Sequence, residues 1–450
     1  MLQLDETDLH PSLRDPALDA VTFLNEVMSR HPHAISFAPG APHPALLHDI
    51  DPARHIDAFL HHLCRTRGLT PAAARHLLHS YGPSRGLIND LVADALRRDS
   101  GIDVPPEALV ITVGAQEAML LTLRALFAGP HNLLAVTDPC YVGILGAARL
   151  LGIGLVPVPD DGHGPGPDRL TAACRAARAQ GRRLRALYLA PDHANPSGAL
   201  LGRADRLRLL DVAEAEDLLL LEDSAYAFTT APGSALPPLK ALDAATGRVV
   251  HLGTFAKLCL PGARVGFAVA DQPVRTRDGR RRLLADELAA LKTMTTVNTP
   301  PLAQAVIGGM LLEHGSLAAL GRDRAALYRR NLTLLLDALD RHLAPGGRPP
   351  PGVTWNRPTG GFFVRMRLPV PVDTALLETS AEQYGVLWTP MAPFYADRGA
   401  DVSDRGADVS DGRRHELRLS CSYLEPEQIE TGARRLAAFV HGISPRFRGR

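Results

Sequence analysis

Between residues 108 and 269 the chain alternates short apolar runs with amphipathic stretches, and this alternation limits the possible folds more than any other feature. Residues 108–113, 133–137, 155–158, 186–190, 218–222, 249–253 and 264–269 read as strands. Residues 117–127, 144–151, 167–179 and 204–215 have helical spacing and read as helices between them. Strands apolar on both faces need cover on both sides, so the series predicts an α/β unit with a mostly parallel sheet. In such sheets ligands gather beyond the carboxyl ends of the strands.

The flanking chain is less regular. Residues 1–30 read as an arm plus a short helix over 17–29, and HAISFAPGAPHP (33–44) as an extended step into a turn-rich loop. Helical periodicity covers 51–78 and 87–99, with the loop SYGPSRG between. Beyond the strand series, helices are expected at 281–295, 301–314 and 318–341. After Pro349-Pro350-Pro351 the pattern becomes strand, helix and strand, closed by a helix over 425–439. The organisation expected is an arm and part of a small domain (1–50), a large domain (51–330) and a C-terminal small domain (331–450). DRGADVS at 397–403 recurs at 404–410, and such a tandem repeat of small and charged residues predicts a duplicated, mobile loop.

One stretch in this frame carries a chemical signal. VHLGTFAKLCLPGARVGF (250–267) places Lys257 and Arg264 in the turn between two apolar runs, at one end of a sheet. Only three of the 49 basic residues are lysines: Lys240, Lys257 and Lys292. A lysine in an apolar setting, in a chain that otherwise uses arginine, points to a need for an amine; arginine cannot become a neutral nucleophile. Lys240 and Lys292 are expected in a proline-rich loop and on a polar helix edge, without such a flanking motif. Other strand ends carry candidates too. Gly114-Ala115-Gln116 reads as a turn whose amides suit an anion. Tyr141, Asn195, Asp223 and Tyr226 follow three further strands, and each alone is as well explained by packing, a turn or a cap.

A formal net charge of +1, with acids interspersed among the arginines, gives no field for nucleic acid or an acidic membrane. Five scattered cysteines form no metal-ligand or CxxC spacing. No apolar run is long enough to span a bilayer, and the acidic N-terminus has no apolar core of a signal peptide. The expectation is a cytoplasmic protein without a metal.

In order along the chain, VGAQ, DPCY, NPSG, EDSAY, TFAKLCLPGARVGF and LRLS resemble the motifs of fold-type-I aminotransferases that use pyridoxal 5′-phosphate (PLP). The resemblance covers roughly residues 30–440. It implies a mostly parallel seven-stranded large domain, a small α/β domain built from both chain ends, and a homodimer with sites at its interface. Carried over residue by residue, it implies that Lys257 attaches covalently to PLP and that Asp223 keeps the pyridine nitrogen protonated. Tyr226 and Asn195 would bond the ring's phenolic oxygen, and Tyr141 would stack on the ring. The Gly114-Ala115-Gln116 turn, Thr254 and Arg264 would hold the phosphate, with Tyr81 reaching the partner's. Arg418 would clamp the substrate α-carboxylate, and Gly40 would lie beside the substrate. Ala115 and Ala256 stand where the family often has serine; each missing hydroxyl removes a hydrogen bond of about 1 kcal/mol.

The activity implied is transfer of an amino group between an amino acid and a 2-oxo acid. FLNEV, ISFAPG, ITVGAQEAM and DPCYVGILGAARLLG look most like transaminases that make arylglycines for peptide antibiotics. A broad aromatic or 2-aminoadipate aminotransferase is the alternative. A cyclase, oxidase or lyase would use the same lysine and aspartate. Regulators carrying this domain add an N-terminal DNA-binding unit, for which the ~30 residues before ISFAPG are too few.

Overall fold

The computed structural model describes residues 4–14, 26–27, 29–243, 246–396 and 413–443. Fifteen strands are present among them. They are β1 (Ile35–Ser36), β2 (Leu109–Thr112), β3 (Asn132–Asp138), β4 (Gly154–Pro159), β5 (Arg183–Leu189), β6 (Leu219–Asp223), β7 (Val249–Thr254) and β8 (Gly266–Val269). Then follow β9 (Pro273–Arg275), β10 (Arg281–Leu283), β11 (Thr354–Trp355), β12 (Phe363–Arg367), β13 (Val386–Leu387), β14 (Thr389–Pro390) and β15 (Glu416–Ser420).

Seven strands form one sheet in the order β2-β8-β7-β6-β5-β3-β4. Only β8 runs against its neighbours, pairing antiparallel with both β2 and β7. The parallel strands β3, β5, β6 and β7 therefore end at the same edge, where β2 also ends and β8 begins. Helices Gly114–Leu126, Val142–Leu150 and Leu284–Thr293 pack on one face with core residues such as Met119, Ile144 and Leu288. Helices Pro167–Ala179 and Arg203–Ala215 cover part of the other with Leu170 and Leu209. β6 is buried along its whole length: Leu219, Leu220 and Leu221 are apolar, and the two carboxylates that follow, Glu222 and Asp223, are buried with them.

A second, four-stranded sheet has the order β11-β12-β15-β14 and is antiparallel throughout. Its core joins Val27 and Phe37 to Leu332 and Leu335 of helix Leu317–Leu343 and to Leu436 and Phe439 of helix Pro426–Ile443. β1 pairs in parallel with β13, which ties the segment after residue 34 to the C-terminal part of the chain.

Three expectations change. Residues 114–116 are not a free turn but the first turn of helix Gly114–Leu126, which starts at Gly114 with φ +73° and no capping side chain. The helix expected over 281–295 begins only at Leu284, because Arg281–Leu283 form a hairpin strand with Pro273–Arg275. Lys240 and Lys292 are not surface residues: Lys240 is buried against Asp271 at 2.6 Å, and Lys292 is fully buried against Glu117 at 2.6 Å. Each amine meets a carboxylate, which is what makes burial of the charge tolerable. Most of the helix expected at 17–29 and all of the repeat at 397–410 lie outside the described residues.

Candidate active site

A cavity of about 370 Å³ opens at the carboxyl edge of the seven-stranded sheet, where the loops after β2, β3, β5, β6 and β7 converge. Its lining includes Ala115, Gln116, Tyr141, Asn195, Asp223, Tyr226, Thr254, Lys257, Arg264 and Arg418, with Gly40 at the rim. Two of the expected residues stand apart. Gly114 is not in the lining but lies against Arg264, whose guanidinium occupies the space a β-carbon would need. Tyr81 is 89% exposed on the surface of the chain.

Lys257 sits in the loop between β7 and β8, and its Nζ donates to the Gly40 carbonyl at 2.6 Å. Burial, and then the positive charges of Arg418 and Arg264, lower its pKa to about 8, with Asp223 opposing. Asp223 ends β6. Its Oδ2 accepts from the Tyr188 hydroxyl at 2.6 Å, whereas its Oδ1 is buried with no hydrogen-bond partner. Burial raises its pKa to about 6, against the Tyr188 hydrogen bond, which lowers it. A lone acceptor of this kind on a buried acid fits a protonated ring nitrogen.

The end of the cavity suited to an anion is built by backbone geometry. β2 and β7 flank β8, so the start of helix Gly114–Leu126 lies beside Arg264. The Ala115 and Gln116 amides belong to the first helical turn, whose N–H groups have no intrahelical acceptor. Arg264 is itself held at φ +51°. Thr254 Oγ1 accepts from the Ala256 amide at 3.1 Å and keeps its own proton to donate. The Gln116 side chain is tied to the Gly143 carbonyl at 2.8 Å, leaving its main-chain amide as the group for an anion. The cradle fits a phosphate without serine at 115 or 256.

The opposite wall is aromatic and polar. Tyr141 precedes helix Val142–Leu150, and burial raises its phenol pKa. Burial also raises that of Tyr226, against Arg418 and a hydrogen bond with Asn195. Asn195 is placed by a buried scaffold. Fully buried Arg206 bonds Asp192 at 2.6 Å and the Leu201 carbonyl at 3.0 Å. Ser197 donates to Asp160 at 2.8 Å.

Arg418 comes from β15, in the other sheet. Its Nη1 donates to Asn195 Oδ1 at 2.7 Å and its Nη2 to the Ala38 carbonyl at 2.8 Å. The guanidinium lies between two rings, 4.3 Å from the Phe363 centroid and 5.0 Å from that of Phe394. Burial lowers its pKa to about 10, with Tyr226 and Tyr141 opposing. It remains a cation at neutral pH, presented where weakly hydrated guanidinium suits a carboxylate. Gly40 allows the close approach on this side, since a β-carbon there would lie 2.8 Å from the Phe363 ring.

Sequence reasoning missed Tyr188. The available signal was a hydroxyl-bearing residue in the otherwise apolar end of β5.

The aminotransferase class I and II family model matches residues 52–436. The (S)-3,5-dihydroxyphenylglycine transaminase of Amycolatopsis orientalis is 45% identical over 97% of this chain and 95% of its own length. The crystal structure of an archaeal alanine:glyoxylate aminotransferase superposes with a TM-score of 0.79 at 25% identity, covering 98% of this chain and all of the other. That of α-aminoadipate aminotransferase from Thermus thermophilus, complexed with N-(5′-phosphopyridoxyl)-L-leucine, gives 0.74 at 28% identity, covering 98% and 99%. With the amine, the lone acceptor and the phosphate cradle in one cavity, these matches place the chain in the class I and II aminotransferases, enzymes that work with PLP.

Proposed function

We propose that this aminotransferase forms an arylglycine from an arylglyoxylate, taking the amino group from an L-amino acid, in the secondary metabolism that supplies peptide antibiotics. The observation that carries the substrate class is the 45% identity over nearly the full chain to a dihydroxyphenylglycine transaminase. The cavity supports it. Among the described residues its only lining arginines are Arg264, at the phosphate cradle, and Arg418. A second carboxylate on the substrate, as in a 2-aminoadipate-type enzyme, would lack a lining guanidinium other than Arg264 and Arg418, and Arg418 is itself packed against the Phe363 and Phe394 rings.

When bound, PLP supplies an aldehyde for covalent attachment and a ring that accepts the electron pair left by the α-proton. The chain's own residues do the rest. Ala115 and Gln116 amides, Thr254 and Arg264 would hold the phosphate. Asp223 Oδ1 would accept from the ring nitrogen and keep its proton in place. Tyr141 would stack on the ring, and Tyr226 and Asn195 would donate to its phenolic oxygen. Arg418 binds the substrate α-carboxylate, which fixes the α-carbon near Lys257. A Lys257 amine with a pKa near 8 has a usable neutral fraction at mildly alkaline pH; it would take the α-proton and deliver it to the cofactor's C4′ carbon rather than back to the α-carbon.

The chain is further read as a cytoplasmic homodimer that binds neither nucleic acid nor membranes, with domains at 1–50, 51–330 and 331–450. Exposed Tyr81, Met294, Val297 and Leu302 favour a covering partner, and Tyr81 would then reach the partner's phosphate. No helix among the described residues is long and apolar enough to cross a membrane. The substrate assignment is tested by kcat/KM for phenylglyoxylate and its hydroxylated forms against 2-oxoisocaproate and 2-oxoadipate. An arylglyoxylate should lead by about ten-fold or more; preference for 2-oxoadipate or 2-oxoisocaproate refutes it.

A further inference from the structure

Asp138, the last residue of β3, holds the segment that carries Phe394. Its side chain is buried, and both carboxylate oxygens are engaged by chain from the far side of the cavity. Oδ1 accepts from the Ala396 amide at 2.9 Å, and Oδ2 pairs with Arg413 Nη2 at 2.7 Å. These two contacts lie on either side of residues 397–412. Two residues further along, the Cys140 amide donates to the Phe394 carbonyl at 2.9 Å. The end of one strand in the large sheet therefore grips residues 394–396 and 413.

The gripped chain leads directly to Arg418. The Phe394 ring covers the Arg418 guanidinium at 5.0 Å. Arg413 also lies 5.1 Å from the Tyr395 ring centroid, and the Tyr395 hydroxyl donates to Glu416 in β15, two residues before Arg418. Glu416 in turn pairs with Arg365 of β12 at 2.7 Å. Asp138 belongs to the seven-stranded sheet and Arg418 to the four-stranded one, so the Asp138–Arg413 pair is one of the ties between the two sheets at the cavity.

We propose that Asp138 and Arg413 are a positioning pair for substrate binding: they hold Phe394 over Arg418 and so set the guanidinium that receives the α-carboxylate. The inference rests on the assignment of Arg418 as the carboxylate-binding group. It is independent of the aryl part of the substrate. Neither residue lines the cavity, so the pair acts through Arg418 on binding and leaves proton transfer at Lys257 alone.

Arg413→Gln is the informative variant, because Arg413 is partly exposed and glutamine keeps a donor for the buried Asp138 carboxylate. The PLP-loaded enzyme is mixed in single turnover with whichever of L-phenylglycine, L-phenylalanine and L-glutamate the wild type converts fastest. The apparent dissociation constant should rise about ten-fold while the limiting rate stays within about two-fold. PLP affinity, measured by fluorescence, should be unchanged. Arg413→Lys, which keeps the charge but not the fork, should recover part of the loss. Asp138→Asn should weaken donor binding in the same direction. An unchanged dissociation constant in Arg413→Gln, or an equal loss in limiting rate or PLP affinity, overturns the proposal. Arg418→Lys in parallel separates the two ideas: normal donor binding there would refute the Arg418 assignment itself, whereas a large effect there with none in Arg413→Gln refutes the pair alone.

Discussion

A pKa raised to about 6 makes the ionised form of Asp223 unfavourable in the cofactor-free fold, and the role proposed for it at the ring nitrogen is what offsets this. Its folded-state pKa, about 6, lies above the ordinary 3.8 because the carboxylate is buried with one oxygen unpaired. A raised pKa means the group favours folding at low pH, and that contribution is lost as pH rises through about 6. Above it, the apo-protein carries a buried charge. Asp223→Asn removes the charge and keeps an acceptor for Tyr188. The apo variant should therefore be more stable than wild type at pH 7.5, by about 1–3 kcal/mol, with the difference gone below about pH 4. Transamination should nonetheless fall by at least about 10²-fold, since the ring nitrogen loses its charged partner. Thermal melts of the two apo-proteins across pH check this; parallel curves without the neutral-pH gap contradict it.

At the level of elements, the cradle proposed for the phosphate depends on how closely β8 approaches the start of helix Gly114–Leu126. Gly266, the first residue of β8, faces that helix start, and a β-carbon there would lie 2.6 Å from the Ala115 amide nitrogen. Gly266→Ala should push the amides and Arg264 apart and weaken PLP binding by about ten-fold. Gly262, in the same loop, has open space around it, and Gly262→Ala should bind PLP normally. Equal affinities in fluorescence titration would contradict this account of the cradle. The strands around it were readable from sequence because burial on both faces writes an unbroken apolar run, as over residues 218–221. The hairpin at 273–283 was not, because arginine-rich Arg281–Leu283 continues smoothly into helical spacing. Residues 114–116 read as a turn because Gly114 opens the helix without a capping side chain.

Across the whole molecule, the site joins positions far apart in the chain: Arg418 meets Asn195, and Lys257 meets Gly40. The order of motifs made these residues readable as a set, and the fold brings them to one cavity. The contacts of Tyr188 on Asp223 and of Ala396 and Arg413 on Asp138 were invisible, since only the carboxylate of each belongs to a motif and Tyr188, Ala396 and Arg413 have no local pattern. The lysine inventory was half readable. Scarcity drew attention to Lys257, but Lys240 and Lys292 are buried as well, each held by a carboxylate. Lys257 alone among the three lines the cavity, and the carboxylate nearest its chemistry, Asp223, has its free oxygen turned to another task. This makes one measurement decisive. The PLP-loaded protein is reduced with borohydride, digested and mapped for a stable pyridoxyl label. All of the label is expected on Lys257 and none on Lys240 or Lys292; label on either of those, or a protein that binds PLP without labelling Lys257, would contradict the site described here.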